Sequence, residues 1–212
     1  MLKLHSFIFS PVQENTYVVS NEKDECIIID PGCYFDAEKE SLVQYIEKSR
    51  LHPVMLLNTH CHLDHVFGNK FIAEKYGLVL QLHENEKALL DFAPASGLMW
   101  DLPFDNYSGE YIYLKEGDTI KLGEDELKIL FLPGHSPGSI GFYCAAQQFI
   151  LSGDVLFNRS IGRTDLPGGD MNTLMKSIRE ELMVLPDEVK VYSGHGPVTT
   201  IGDEKKHNPF LQ

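Results

Sequence analysis

The chain's 212 residues are enough to bury a substantial core without disulfides or metals as staples, so a metal site here would serve chemistry rather than folding. Its 18 basic and 31 acidic residues give a net charge of −13, the wrong sign for a protein that neutralises the phosphates of DNA or RNA. No apolar run is long enough to span a bilayer, and the opening MLKLHSFIFSPVQENTYVV lacks both a continuous apolar h-region and a small-residue cleavage site, so the expectation is a cytoplasmic protein without nucleic-acid or membrane partners.

Along the chain, apolar runs of strand length occur at 26–29, 54–57, 78–82, 127–132, 140–144, 149–151 and 189–192. Three helical patterns fall between them. The first covers 37–49, with Leu42, Val43 and Ile46 on one face and Pro53 beyond its end; the second covers 65–76 and is closed by Gly77. The third starts after Asp170 as N-cap, carries Leu174, Ile178, Leu182 and Leu185 at helical spacing, and stops at Pro186. Residues 91–113 combine Pro94, Gly97, Trp100, Pro103, Phe104, Tyr107 and Gly109 and read as a long aromatic-rich loop, either the wall of a substrate cleft or a satellite hydrophobic cover. No linker interrupts the pattern, which predicts one domain over 1–212. Cys26, Cys33, Cys61 and Cys144 form no C-x-x-C pair, so reduced thiols are expected.

The polar clusters fall at the ends of apolar runs. Residues 54–57 lead into Asn58-Thr59-His60, 127–132 into Pro133-Gly134-His135, 149–151 into Ser152-Gly153-Asp154, and 189–192 into Ser193-Gly194-His195. If those strand ends face a common edge, their loops converge on one crevice, where α/β proteins commonly place their chemistry. The Gly before His135, Asp154 and His195 is expected to allow a sharp turn there.

Residues 59–65 read T-H-C-H-L-D-H. In an extended segment, positions i, i+2 and i+4 point to one side, so His60, His62 and Asp64 can face one cavity while Cys61 points away and His65 projects from the next turn. With His135, Asp154 and His195 the candidates number seven, more than one tetrahedral zinc uses and suited to two ions. Imidazole nitrogen with carboxylate oxygen suits Zn, Fe or Mn, and the lack of a thiolate argues against a structural zinc site.

These pieces resemble the metallo-β-lactamase superfamily, and more closely its short glyoxalase II-like hydrolases. The matching segments are THCHLDH at 59–65, PGHSPGS at 133–139, SGDVLF at 152–157, SGHGP at 193–197 and the closing HNPFLQ. The resemblance implies an α/β protein with a four-layer αββα sandwich, two mixed sheets with helices outside. It also implies two divalent ions, Zn with Fe or Mn as alternatives. His60, His62 and His135 would hold one, Asp64, His65 and His195 the other, and Asp154 would bridge them, which makes Asp64 and Asp154 the catalytic carboxylates. The implied reaction is hydrolysis of a small-molecule acyl-thiol such as a hydroxyacylglutathione by metal-activated hydroxide, whose thiolate leaving group departs without a dedicated proton donor. Class B1 lactamases differ in using a Cys ligand. Longer glyoxalase II enzymes add a basic helical region after the part that matches here, so glutathione, another small thiol and CoA all stay open as carriers.

A second branch of the superfamily, the mononuclear iron persulfide dioxygenases, resembles the chain in THCH and in GRTD at 162–165. It would use His60, His135 and Asp154 alone, and the match weakens at Leu166 and Pro167. A non-enzymatic metal-binding domain on the same fold is the remaining alternative. Among the other residues, Arg159 and Arg163 are candidates for a substrate carboxylate, with an internal Arg163–Asp165 pair as the other explanation. Asp30 is either a partner that orients a ligand His or the start of an Asp-Pro-Gly turn. His83 reads as a surface or supporting histidine, and His5, His52 and His207 as structural or exposed.

Overall fold

The computed structural model describes residues 1–212. They form two compact units, Met1–Tyr113 with Lys121–Asp125, and Leu114–Ile120 with Glu126–Gln212. The first begins with a hairpin of β1 (Lys3–Phe9) and β2 (Glu14–Ser20), followed by β3 (Glu25–Ile29), α1 (Asp36–Lys48), β4 (His52–Leu57), α2 (Leu63–Val66), α3 (Asn69–Tyr76), β5 (Leu80–His83), α4 (Lys87–Met99) and β6 (Tyr111–Leu114). Its sheet has the order β1-β2-β3-β4-β5-β6 and is mixed: β1, β2 and β3 pair antiparallel, while β3, β4 and β5 pair parallel. The central strands read as nearly continuous apolar runs because both faces are covered, and Cys26 through Ile29 are fully buried.

The first helix matches its sequence pattern, with Leu42 and Ile46 buried one turn apart. Asp36 and Glu38 lie at its positive end and Lys48 at its negative end, and the Glu38 carboxylate accepts the backbone N–H groups of Tyr34 and Phe35 at 2.8 and 3.0 Å. The helix expected at 65–76 is two helices, α2 and α3, with a break at Phe67 and Gly68 where the Gly68 N–H donates to Pro31 O at 2.7 Å. Residues 91–113, expected as loop, are helical in their first part. Pro94 and Gly97 read as breakers, but the carbonyl that Pro94 cannot bond, Leu90 O, accepts from Asn106 Nδ2 at 2.6 Å, so the helix survives its proline. In the remainder, Phe104, Tyr107 and Tyr111 pack on the unit's core, the covering role rather than an open loop.

The second sheet has the order β14-β13-β10-β9-β8-β7, built from β7 (Thr119–Leu122), β8 (Asp125–Phe131), β9 (Ile140–Cys144), β10 (Phe149–Gly153), β13 (Lys190–Ser193) and β14 (Thr199–Thr200). A separate small hairpin joins β11 (Leu156–Phe157) to β12 (Ser160–Ile161). The helix after Asp170 forms as α5 (Met171–Ser177) and continues as a π-helical turn over Ile178–Leu182; Asp170 caps it by accepting from Thr173 N–H at 2.7 Å. The chain closes with α6 (Ile201–His207). Leu130, Leu132, Ile150, Leu174, Ile178, Leu182 and Val191 belong to this unit's core. Both sheets are mixed and both carry helices, the element content expected for the αββα class.

Candidate metal centre

Strand direction decides where the polar loops emerge. In the first sheet β3, β4 and β5 run parallel, so Asp30, the segment from Asn58 to His65, and His83 leave the sheet at one edge. In the second, β9 is antiparallel to both β8 and β10, and β10 is parallel to β13. The ends of β8, β10 and β13, which carry His135, Asp154 and His195, therefore also share an edge. Of the four predicted polar loops, the three that follow β8, β10 and β13 share one edge of the second sheet, and the fourth, at 58–60, leaves the first sheet beside Asp30 and His83.

In the first unit the ligand candidates cluster tightly. The rings of His60 and His62 have centroids 4.9 Å apart, those of His60 and His65 4.1 Å, and Asp64 Oδ2 stands 3.7 Å from His65 Nε2. His60 and His65 are fully buried, and His62 stands at the N-terminus of α2 with Asp64 in its first turn. Cys61, between them, is buried away from solvent, and burial with the nearby Glu86 carboxylate pushes its thiol well above the ordinary range. That thiol is a bystander.

Asp30 organises this cluster, so reading it as a turn residue alone is too small. Its Oδ1 accepts from Thr59 N–H at 2.7 Å and Asn58 Nδ2 at 3.2 Å; its Oδ2 accepts from Thr59 Oγ1 at 2.5 Å and faces His65 Nδ1 at 3.2 Å. A carboxylate only accepts, so His65 carries its proton on Nδ1 and a lone pair on Nε2. The Thr59 hydroxyl spends its one hydrogen on Asp30, so toward His60 Nδ1, 3.1 Å away, it acts as acceptor. His60 then also has its lone pair on Nε2. One buried carboxylate sets two tautomers.

Two further carboxylates near the cluster were not picked out from the sequence. Fully buried Glu86 accepts the Cys61 N–H at 2.7 Å and so pins the backbone between His60 and His62. Glu14, also fully buried, accepts from Thr16 Oγ1 at 2.8 Å and has its Oε1 4.0 Å from His65 Nδ1. Burial holds its carboxyl well above the usual range, with Asp30 adding to the effect against the pull of His65. Glu86 sits in the charged stretch HENEK, which reads as solvated surface, and Glu14 sits in a strand with no alternation to mark it. Only the partners identify them.

In the second unit Asp154 stands between two imidazoles, its Oδ2 3.6 Å from both His135 Nε2 and His195 Nε2. The Nδ1 of His135 lies 2.7 Å from Arg163 O. A carbonyl cannot donate, so this ring too presents its lone pair at Nε2. Gly134, at φ +130°, permits the turn before His135, and a Cβ there would lie 2.2 Å from the Leu174 backbone N. Gly153, before Asp154, is also left-handed; near His195 the left-handed residue is Gly196 rather than Gly194. His83, by contrast, accepts from Asn85 N–H at 3.2 Å and stands outside the ligand groupings.

The two arginines make internal pairs. Arg163 Nε and Nη2 each donate to Asp165 at 2.7 Å, and this holds the Asp165 carboxyl down to about 2. Arg159 reaches Asp203 at 3.0 Å. The donor chemistry fits divalent metal: Nε2 lone pairs beside carboxylate oxygens, with no thiolate among them, is the set expected for Zn, Fe or Mn. No helix of the protein is long and apolar enough to cross a membrane.

Comparison with known proteins agrees with this chemistry. Residues 9–195 match the family model of the metallo-β-lactamase superfamily, a span that takes in all seven ligand candidates. The chain is 41% identical to a probable metallo-hydrolase, YqgX, of Bacillus subtilis, over 95% of this chain and 93% of that one. It is 40% identical to the hydroxyacylglutathione hydrolase GloC of Haemophilus influenzae, over 94% and 93%. Among solved structures, the BLEG-1 B3 metallo-β-lactamase superposes with a TM-score of 0.91 at 37% identity, covering 99% of this chain and all of that one. The protein TTHA1623 in a di-iron-bound form gives 0.89 at 37% identity, covering 98% and 100%. The fold is therefore the one the motifs implied, and the chain belongs to the metallo-β-lactamase superfamily.

Proposed function

We propose that the protein is a glyoxalase II-like thioesterase, a binuclear metallohydrolase that cleaves a small acyl-thiol such as a hydroxyacylglutathione. In this reading His60, His62 and His135 hold one divalent ion, Asp64, His65 and His195 hold a second, and Asp154 serves both. The observation that carries it is the preparation of Asp64 and His65. A mononuclear iron dioxygenase needs neither, yet Asp30 fixes the tautomer of His65 so that Nε2 meets Asp64 Oδ2. The likeness to GloC over most of both chains supports the same substrate class.

Bound divalent ions would supply water acidified to a pKa of about 7 and a Lewis acid for the scissile carbonyl. The residues themselves do the rest. Asp30, Thr59 and the Arg163 carbonyl keep the protons of His65, His60 and His135 on Nδ1. Asp64 and Asp154 bring negative charge to the nitrogen cluster, and burial of His60, His65 and His135 excludes bulk water from their rings. A thiolate leaves without a dedicated proton donor, and none stands out in the sequence.

Metal analysis of the purified protein, paired with hydrolysis of lactoylglutathione and oxygen uptake on glutathione persulfide, tests the proposal. Two ions per chain with hydrolysis is the expected result. One iron with oxygen uptake replaces the thioesterase with the dioxygenase, and two ions without turnover of thioester, ester or lactone leaves a non-enzymatic metal protein. Asp154→Ala and His60→Ala should each abolish hydrolysis in a folded protein.

A further inference from the structure

We propose that the C-terminal helix α6 sets the geometry of the His135–Asp154 ligand pair, with Glu204 and Asn208 as positioning residues acting through the β11–β12 hairpin. Both are fully buried. The Glu204 carboxylate accepts three hydrogen bonds: from the Arg159 N–H at 2.9 Å, Asn208 Nδ2 at 2.8 Å and Thr199 Oγ1 at 2.5 Å. Asn208 Nδ2 donates also to Ser160 O at 3.0 Å, while its Oδ1 accepts the Phe210 N–H at 3.0 Å. Glu204 and the Asn208 of the closing HNPFLQ segment thus clamp residues 159 and 160.

Those two residues form the tip and return of the hairpin. Leu156 pairs with Ile161 and Phe157 with Ser160, leaving Asn158 and Arg159 as a two-residue loop. Arg159 has φ +61°, a conformation that costs free energy for a residue with a Cβ and persists where its surroundings hold it. Glu204 holds it by its N–H. The return strand then runs directly onto the ligands. Gly162 donates to Val155 O at 3.1 Å, and a Cβ on Gly162 would stand 2.0 Å from Asp154 O and 3.2 Å from the His135 Cβ. The following residue, Arg163, supplies the carbonyl that fixes the His135 tautomer. A shift of the hairpin tip therefore reaches the Asp154 backbone and the His135 ring through two residues of chain, and close packing leaves little slack to absorb it.

A capping role for Glu204 would stabilise α6 and nothing else. The arrangement here has a separate signature, because partners behind a ligating imidazole typically change metal affinity by 10–100-fold. The inference rests on reading His135 and Asp154 as ligands, and the two can fail separately. Wild-type protein, Glu204→Gln, Asn208→Ala and the control Lys205→Ala are compared by zinc titration against a chromogenic chelator, and by the imidazole Nδ1–H proton resonances of metal-free protein. Lys205 ties the other side of α6 to Asp187 and Leu185 O and should lower thermal stability alone. In Glu204→Gln and Asn208→Ala, zinc affinity should fall by about 10-fold, and the His135 Nδ1–H signal should move while that of His65 stays. Asn208→Ala leaves the Glu204–Arg159 bond in place and is the milder variant should Glu204→Gln not fold. Unchanged zinc affinity and an unchanged His135 signal in a variant whose melting temperature has dropped would overturn the inference. Wild-type protein that binds no zinc, iron or manganese would overturn the metal reading beneath it.

Discussion

Replacing Asp30 by Asn is the sharpest test of how this centre is prepared, because it changes one oxygen to nitrogen without altering shape. The carboxylate accepts on both oxygens. The Asn amide can keep Thr59 N–H and Asn58 Nδ2 on its remaining oxygen, but must then aim its NH2 at Thr59 Oγ1 and His65 Nδ1. Two donors now face two donors. The least costly escape moves the His65 proton to Nε2, so that Nδ1 accepts from the amide and the nitrogen meant for metal carries a hydrogen. The Thr59 hydroxyl, losing its acceptor, turns toward His60 Nδ1 and pushes that ring the same way. Each hydrogen bond to a charged group is worth about 1.5–3 kcal/mol. One of the two is recovered by the tautomer switch, so the metal-free Asp30→Asn protein should lose only about 1.5–3 kcal/mol in denaturant unfolding. Metal affinity should fall by about 10–100-fold, and under the binuclear proposal the ion at Asp64 and His65 should be lost first. Chelator competition and metal content after dialysis measure it. An Asp30→Asn protein that binds metal with wild-type affinity and stoichiometry would refute the tautomer reasoning.

Four further outcomes are expected. Gly134→Ala, whose new Cβ would lie 2.2 Å from the Leu174 backbone N at φ +130°, should cost about 3 kcal/mol or more in equilibrium unfolding; a cost under about 1 kcal/mol would mean the loop yields freely. Glu14→Gln should stabilise metal-free protein at neutral pH. The buried Glu14 carboxyl is held well above 4.5, so the folded state binds its proton more readily and wild-type stability falls as pH rises through that shifted value. The two stability curves should converge as pH drops below 4.5. For Asp165, depressed to about 2 by the Arg163 guanidinium, the sign is opposite: its contribution is present above the ordinary 3.8 and lost as pH falls through about 2. In Arg163→Ala the carboxyl should titrate near its ordinary value by NMR, and KM should rise less than about threefold because the guanidinium is already committed to Asp165. A rise of about tenfold or more would assign Arg163 to substrate. The four cysteines are buried, with Cys26 and Cys33 pushed up to about 12 by burial; a thiol reagent should modify none of them until the protein unfolds.

Local pattern determined a great deal about this protein. The spacing of His60, His62, Asp64 and His65 needs only the two-residue period of an extended segment and the first turn of a helix, both set by neighbours in the chain. The strand runs at 26–29 and 140–144, the helix around Leu42 and Ile46, and the Asp170 cap are likewise local signals, and all stand where the sequence put them. Long-range partners decided the rest. Pro94 forbids a helix by local rules, and Asn106, twelve residues further on, supplies the donor that Leu90 O needs. Asp30 looks like a turn former until β3 and β4 pair in parallel and bring Asn58, Thr59 and His65 to its two oxygens. Glu86 and Glu204 look like surface charge until burial leaves each carboxylate with backbone N–H groups to accept. The candidate ligands are legible in residue type and spacing, because a metal selects for donor atoms. Ligand protonation is written in what lies behind each ring, and only the folded chain brings those groups within hydrogen-bonding distance.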